Sequence, residues 1–284
     1  MKREHEPNDG LHITEGKQHQ GRERPHGTDQ NPRHADRKSF VSDRRRRQPN
    51  ERLIVALDFP THGEALSLVD VLVPDVRFFK VGLELFVSSG PCVVSMIQDK
   101  GGRVFLDLKL HDIPNTVKGT VSCAARLGAA IISLHLSVGR DGLTAAVEGL
   151  AEASNSAREK PLLAGVTVLT SLGSEQTGGT IGSILDQVLR LSRLAKECGV
   201  EGIITSVKEA GEVRRALGDE CVIITPGIRL SGAADDHKRT GTVKDALAAG
   251  SDYLVVGRPI TRASNPQEEA RRFLGEIAAF ESID

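Results

Sequence analysis

From residue 51 onward, short apolar runs alternate with longer segments in which apolar residues recur every three or four positions. Runs of the first kind suit strands buried on both faces, and segments of the second suit amphipathic helices. Their alternation predicts βα units around a parallel sheet. Eight runs qualify as strands, at 53–58, 77–81, 103–109, 130–134, 162–169, 202–206, 222–226 and 253–257. A helical segment follows each, most clearly at 64–73, 113–127, 182–198 and 266–280. Gly128, Gly199, Gly218 and Gly250 stand where helices would end in a left-handed cap. Eight such units within residues 51–284 fit a (β/α)8 TIM barrel. A doubly wound open sheet is the alternative, although no GxGxxG follows the first strand.

Polar residues recur where these strands give out. Asp58 ends the first, Lys80 the second, and Asp107 with Lys109 the third; Thr170 and Ser171 follow the fifth, Arg229 the seventh, and Gly257 with Arg258 the eighth. Each alone has a plain explanation, as a turn cap, a snorkelling lysine or a solvated loop charge. In a barrel, however, strand C-terminal ends converge on one mouth, where active sites are built.

The third of these ends is the densest in charge. Phe105-Leu106-Asp107-Leu108-Lys109-Leu110-His111-Asp112-Ile113-Pro114 starts as a buried strand and then carries Asp107, Lys109 and Asp112. Side chains two apart in an extended chain share a face, so Asp107 and Lys109 should point the same way. Pro114 suits the first turn of a helix, which leaves Asp112 in the connecting turn. Crowded charges cost desolvation unless they neutralise one another, so this stretch points to chemistry. His111 is expected to pack or to support the site from behind. At the last strand's exit, Val256-Gly257-Arg258-Pro259-Ile260 combines a glycine, which lets backbone N–H groups approach an anion, with an arginine that adds a bidentate donor. With Thr225-Pro226-Gly227-Ile228-Arg229 on the preceding strand, it favours a phosphomonoester.

Composition changes the picture at one end only. Residues 1–50 hold 12 Lys/Arg against 8 Asp/Glu, five of the nine histidines and six apolar residues. So little apolar surface cannot offset ordering entropy, and a disordered charged tail is expected there, with the barrel domain at 51–284. The run Arg44-Arg45-Arg46-Arg47 has no aromatic partners beside it, so nucleic-acid binding is not expected. Cys92, Cys123, Cys198 and Cys221 are scattered without CxxC spacing, as in a reduced cytoplasmic protein. No metal cluster, signal peptide or transmembrane run is visible.

Taken together, the motifs resemble the orotidine 5′-phosphate decarboxylase family of the bacterial type, over roughly residues 52–280. The matching pieces are Val55-Ala56-Leu57-Asp58, Phe79-Lys80-Val81-Gly82, Asp107 to Thr116, Val166-Thr167-Val168-Leu169-Thr170-Ser171, Thr225 to Arg229, and Gly257-Arg258-Pro259-Ile260. The resemblance implies a cofactor-free, metal-free conversion of orotidine 5′-phosphate to UMP in pyrimidine synthesis. Lys109 would protonate C6, and Asp107 would sit beside the substrate carboxylate in a charge network with Lys80 and Lys109. Asp112 and Thr116 would reach into the partner's site of an obligate homodimer. Asp58 and Lys80 would meet the ribose, Thr170 the pyrimidine amide, and Arg229, Gly257 and Arg258 the 5′-phosphate. The segment 231–242 would close over the site. Its run Asp235-Asp236-His237-Lys238-Arg239 lacks the glutamine many relatives carry, so His237 takes that place as a candidate phosphate ligand. Two alternatives share the core motif or its ligand. One is a metal-dependent keto-sugar-phosphate decarboxylase or aldolase, disfavoured by Lys80 where a carboxylate would be needed. The other is a non-catalytic barrel that binds a phosphoribosyl ligand.

Overall fold

The computed structural model describes residues 40, 47–154, 160–169, 183–230 and 241–282, all within the compact unit Arg37–Asp284. The rest of the expected tail, Thr170, and the 231–240 segment with His237 lie outside the described residues.

The strands in chain order are β1 (Leu53–Leu57), β2 (Phe78–Gly82), β3 (Arg103–Leu110), β4 (Ile131–His135), β5 (Leu162–Val166), β6 (Gly202–Ile204) and β7 (Val222–Pro226). A short ribbon follows, β8 (Ile228–Arg229) and β9 (Gly241–Thr242), and then β10 (Tyr253–Val256). All pairings are parallel, and the order β1-β10-β7-β6-β5-β4-β3-β2 closes on itself. The barrel is therefore the fold, and the open-sheet alternative is set aside. Helices α1 (Pro49–Arg52), α2 (His62–Leu72), α3 (Leu83–Ser89), α4 (Cys92–Asp99), α5 (Pro114–Arg126) and α6 (Gly139–Ser154) accompany the first half. In the second half come α7 (Ile184–Glu197), α8 (Val207–Leu217), α9 (Val243–Ala248), α10 (Arg258–Thr261) and α11 (Pro266–Glu281). The connection from β2 to β3 differs from a single helix because Gly90, at φ 69°, and Pro91 divide it into α3 and α4. The expected cap glycines Gly128, Gly199, Gly218 and Gly250 all have positive φ. Helices α7 and α9 start on reciprocal caps, Ser183 with Asp186 and Thr242 with Asp245, each worth about 1 kcal/mol.

Period-two alternation along each strand divides the core into two shells. Ile54, Phe78, Phe105, Ile131, Leu162, Ile204, Ile224 and Tyr253 fill the barrel, whereas Leu53, Val55, Phe79 and Val104 face the helices. The inward series, continued toward the C-terminal mouth, runs from Ala56 to Asp58, Phe78 to Lys80, Phe105 to Asp107, and Ile131 to Ser133. Polar side chains thus begin where the apolar filling stops.

The opposite end is closed in a way the composition of residues 1–50 did not suggest. Phe40 packs 6.4 Å from the Tyr253 ring, and the Arg47 guanidinium lies 4.5 Å over that ring. Arg103 stacks on Phe78 and Phe40 at 4.6 and 5.4 Å. Arg47 is 8% exposed, and burial pushes the Tyr253 hydroxyl up to about 12 against the pull of Arg47 and Arg103. The described part of the folded body thus starts before residue 51, with Arg47 buried and α1 opening at Pro49. Among the described residues no helix is long and apolar enough to cross a membrane.

Candidate active site

The strand exits bring Asp58, Lys80, Asp107 and Lys109 into one cluster. Lys109 Nζ donates to Asp107 Oδ2 at 2.8 Å. Lys80 Nζ lies 3.5 Å from the same oxygen and 3.0 Å from Asp58 Oδ1. The two lysines therefore converge on one carboxylate from neighbouring strands. Gly82 makes room for this: a Cβ there would stand 3.1 Å from Lys80 Nζ and 3.3 Å from Asp58 Oδ1. Asp107 is the buried member, whereas Asp58 is exposed and Lys109 half-buried. Burial by itself would raise the Asp107 carboxyl. Lys80, Lys109 and hydrogen bonds from Lys109 and Ser133 outweigh that and hold it below the ordinary carboxylate range.

Asp107 and Lys109 do share a face, but not through regular alternation. Leu106 pairs with Ile132 and Leu110 with Leu134, so four steps on β3 match two on β4. Lys109 takes up the excess at φ 50°, a left-handed conformation that costs a residue with a Cβ roughly 1–2 kcal/mol. The strand's last residues bulge, and the bulge turns the lysine back toward the aspartate.

Asp112 and Thr116 lie beside this cluster, not within it. Both are exposed, and Asp112 Oδ1 accepts the Ile113 N–H at 2.7 Å at the start of α5. They line a groove with Leu83, Phe86, Lys109 and His111. Leu83, Val87 and Ile113 are 57%, 78% and 68% exposed, an unusual apolar display around a charged site. On the far side, Arg229 follows β7 and Gly257 with Arg258 follows β10, the neighbouring strand in the barrel. β8 pairs with β9 through Ile228–Gly241 and Arg229–Thr242, so the ribbon brackets the 231–240 segment.

Two residues of β4 belong to the site and were not singled out from sequence. Ser133 donates to Asp107 Oδ1 at 2.9 Å. His135 stacks obliquely against His111, ring centres 5.7 Å apart. Burial first, then His111 and Lys109, depress the His135 imidazole below its usual value, against an upward pull from Asp107. The inward period of β4 was the available signal, since Ser133 and His135 continue the series from Ile131.

Residues 51–273 match the model of the family described as "Orotidine 5′-phosphate decarboxylase / HUMPS family". The chain belongs to this family. A Syntrophomonas wolfei orotidine 5′-phosphate decarboxylase is 44% identical over 236 residues, covering 81% of this chain and 99% of that protein. One from Saccharophagus degradans is 46% identical over 233 residues, covering 81% and 96%. Among solved structures, the orotidine 5′-phosphate decarboxylase of Lactobacillus acidophilus superposes with a TM-score of 0.72 at 34% identity, covering 80% of this chain and 99% of that one. Membership in the orotidine 5′-phosphate decarboxylase family agrees with the fold and with the order of the motifs along the chain.

Proposed function

We propose that this chain decarboxylates orotidine 5′-phosphate to UMP without a cofactor. The buried Asp107 carboxylate, touched by both Lys109 and Lys80, carries that reading. Breaking the bond between C6 and the carboxylate releases carbon dioxide and leaves an electron pair on C6 with no carbonyl beside it. Such a carbanion is stabilised through electrostatics and positioning. In this reading, Asp107 stands beside the substrate carboxylate, favouring its loss, and the Lys109 ammonium faces the developing charge and delivers the proton that completes the C6–H bond. At about 4 Å and an effective dielectric near 20, one such ion pair is worth about 4 kcal/mol before desolvation. Contacts away from C6 must supply the rest, and they are assigned as follows. Asp58 and Lys80 hold the ribose hydroxyls; Arg229, Gly257 and Arg258 hold the 5′-phosphate; Thr170 and His237 remain the candidates for the pyrimidine amide and the phosphate. The catalytic body is assigned to 51–284, in keeping with a family match that begins at residue 51.

The same reading includes a homodimer in which Asp112 and Thr116 complete the partner's site. The exposed apolar side chains support it: Leu83 lines the groove that holds Lys109 and Asp112, and Val87 and Ile113 adjoin its lining residues Phe86 and Asp112 in the chain. Four free cysteines support a cytoplasmic setting. The position of Lys80, with its ammonium between two carboxylates, speaks against a metal-dependent keto-sugar-phosphate enzyme, since a divalent cation there would be repelled. The test is the loss of orotidine 5′-phosphate absorbance on adding the protein in excess EDTA. Undiminished turnover supports the reading; activity abolished by chelator and restored by magnesium sinks it.

A further inference from the structure

Ser133 is the inward residue of β4 next above Ile131, and its side chain is wholly buried, at 0% exposure. Its hydroxyl makes two contacts at once. Oγ donates to Asp107 Oδ1 at 2.9 Å and accepts the Lys109 N–H at 2.8 Å. A serine hydroxyl has one proton and two lone pairs, so a single orientation satisfies both contacts. The backbone it touches is the bulge between Leu106 and Leu110, where the strand ladder shifts register. An amide in such a gap lacks a regular strand partner, and the half-buried Lys109 N–H finds one in a side chain. Lys109 is also the one described non-glycine residue with positive φ, a conformation that persists only when its surroundings hold it.

We propose that Ser133 is a positioning residue for the decarboxylation, holding the β3 bulge so that the Asp107 carboxylate and the Lys109 ammonium meet the same reacting carbon; this rests on the function proposed above. The hydroxyl fixes one partner by its side chain and the other by its main chain. No other described residue hydrogen-bonds to both. An apolar residue of similar size would fill the space but leave the Lys109 amide and a buried Asp107 carboxylate oxygen each short of a partner. The hydrogen bond from Ser133 is also one of the influences that keep Asp107 charged.

The test uses the full chain and begins with wild-type turnover of orotidine 5′-phosphate. Its absence refutes the proposed function itself, whereas a wild-type rate in a variant lacking the hydroxyl refutes only the role of Ser133. Ser133→Ala is expected to lower kcat about 10- to 100-fold, the range for loss of a hydrogen bond to a charged group. The Kd for UMP, which lacks the reacting carboxylate, should stay within about threefold of wild type. The acid limb of the kcat profile should move to higher pH, because Asp107 loses a donor to its charged form. Ser133→Thr, which keeps the hydroxyl, should recover most of the rate. Should Ser133→Ala fail to fold, Ser133→Cys, a weaker donor of similar volume, is read the same way. The proposal is overturned if a folded variant lacking the hydroxyl turns over within about twofold of wild type. A UMP affinity that falls in step with kcat, or a threonine variant no faster than alanine, also overturns it.

Discussion

Lys109 Nζ and Asp107 Oδ2 are 2.8 Å apart because the lysine backbone turns back at φ 50°. A straight strand would give two side chains on one face; the bulge gives two side chains on one point. Lys80 reaches the same oxygen from β2, so one buried carboxylate is shared by two cations. A site arranged in this way is sensitive to the carboxylate's charge.

Asp107→Asn is therefore expected to lower kcat by about 10²–10³-fold, the scale for removing one preorganised electrostatic group. Stability gives an independent check. The folded carboxyl is held below its unfolded value, so its contribution is present above about pH 3.9 and is lost as pH falls through the depressed folded value. The Tm difference between wild type and Asp107→Asn should be largest near neutrality and shrink below about pH 4. A constant difference across that range would show that the charge is not what stabilises the cluster.

The sign is the same for His135, at a different pH. Its imidazole is depressed by burial and by neighbouring cations, so the unfolded chain binds more protons in the window just below about pH 6.5. Its contribution is complete above that value and is lost as pH falls toward the depressed value. Replacing it by His135→Gln should flatten the dependence of Tm on pH between about 7 and 5. An unchanged slope would assign the acid sensitivity to other groups.

The closure of the barrel's lower end makes a prediction about where the chain can be cut. A chain starting at residue 40 keeps Phe40 and Arg47 on Tyr253; one starting at residue 49 loses both. With a cation–π contact and an aromatic contact worth about 1 kcal/mol each, the shorter chain should melt roughly 4–8 °C lower. Its kcat should not change, since these residues are remote from the strand exits. Equal melting temperatures would make the contacts incidental.

The shared site can be tested by mixing two inactive variants, Lys109→Ala and Asp112→Ala. In the proposed dimer, a mixed pair has one intact site, with Lys109 from one chain and Asp112 from the other. Random reassortment of equal amounts should restore about a quarter of wild-type activity. Persistent inactivity in verified mixed dimers would place both residues in the same chain's site.

Much of the fold was legible because period two within strands and period three to four between them survive in the sequence. The eight predicted strands are the eight of the barrel, although β5 and β6 stop earlier than their apolar runs, at Val166 and Ile204. Asp58, Lys80, Asp107 and Lys109 were legible as strand exits, and they form the cluster. Ser133 was not, because a lone serine in Ile131-Ile132-Ser133-Leu134 looks like an ordinary core position. Its role depends on a bulge in the neighbouring strand, which no local pattern of β4 encodes. Phe40 and Arg47 escaped for a related reason: two side chains can close a barrel end while the surrounding composition stays that of a solvated tail.

The most direct measurement of the central claim is turnover by Lys109→Ala, with UMP binding measured on the same preparation. If the Lys109 ammonium faces C6 as proposed, its removal should abolish loss of orotidine 5′-phosphate absorbance, while UMP should still bind through the proposed ribose and phosphate contacts. Near-wild-type turnover in a folded Lys109→Ala variant would contradict the account.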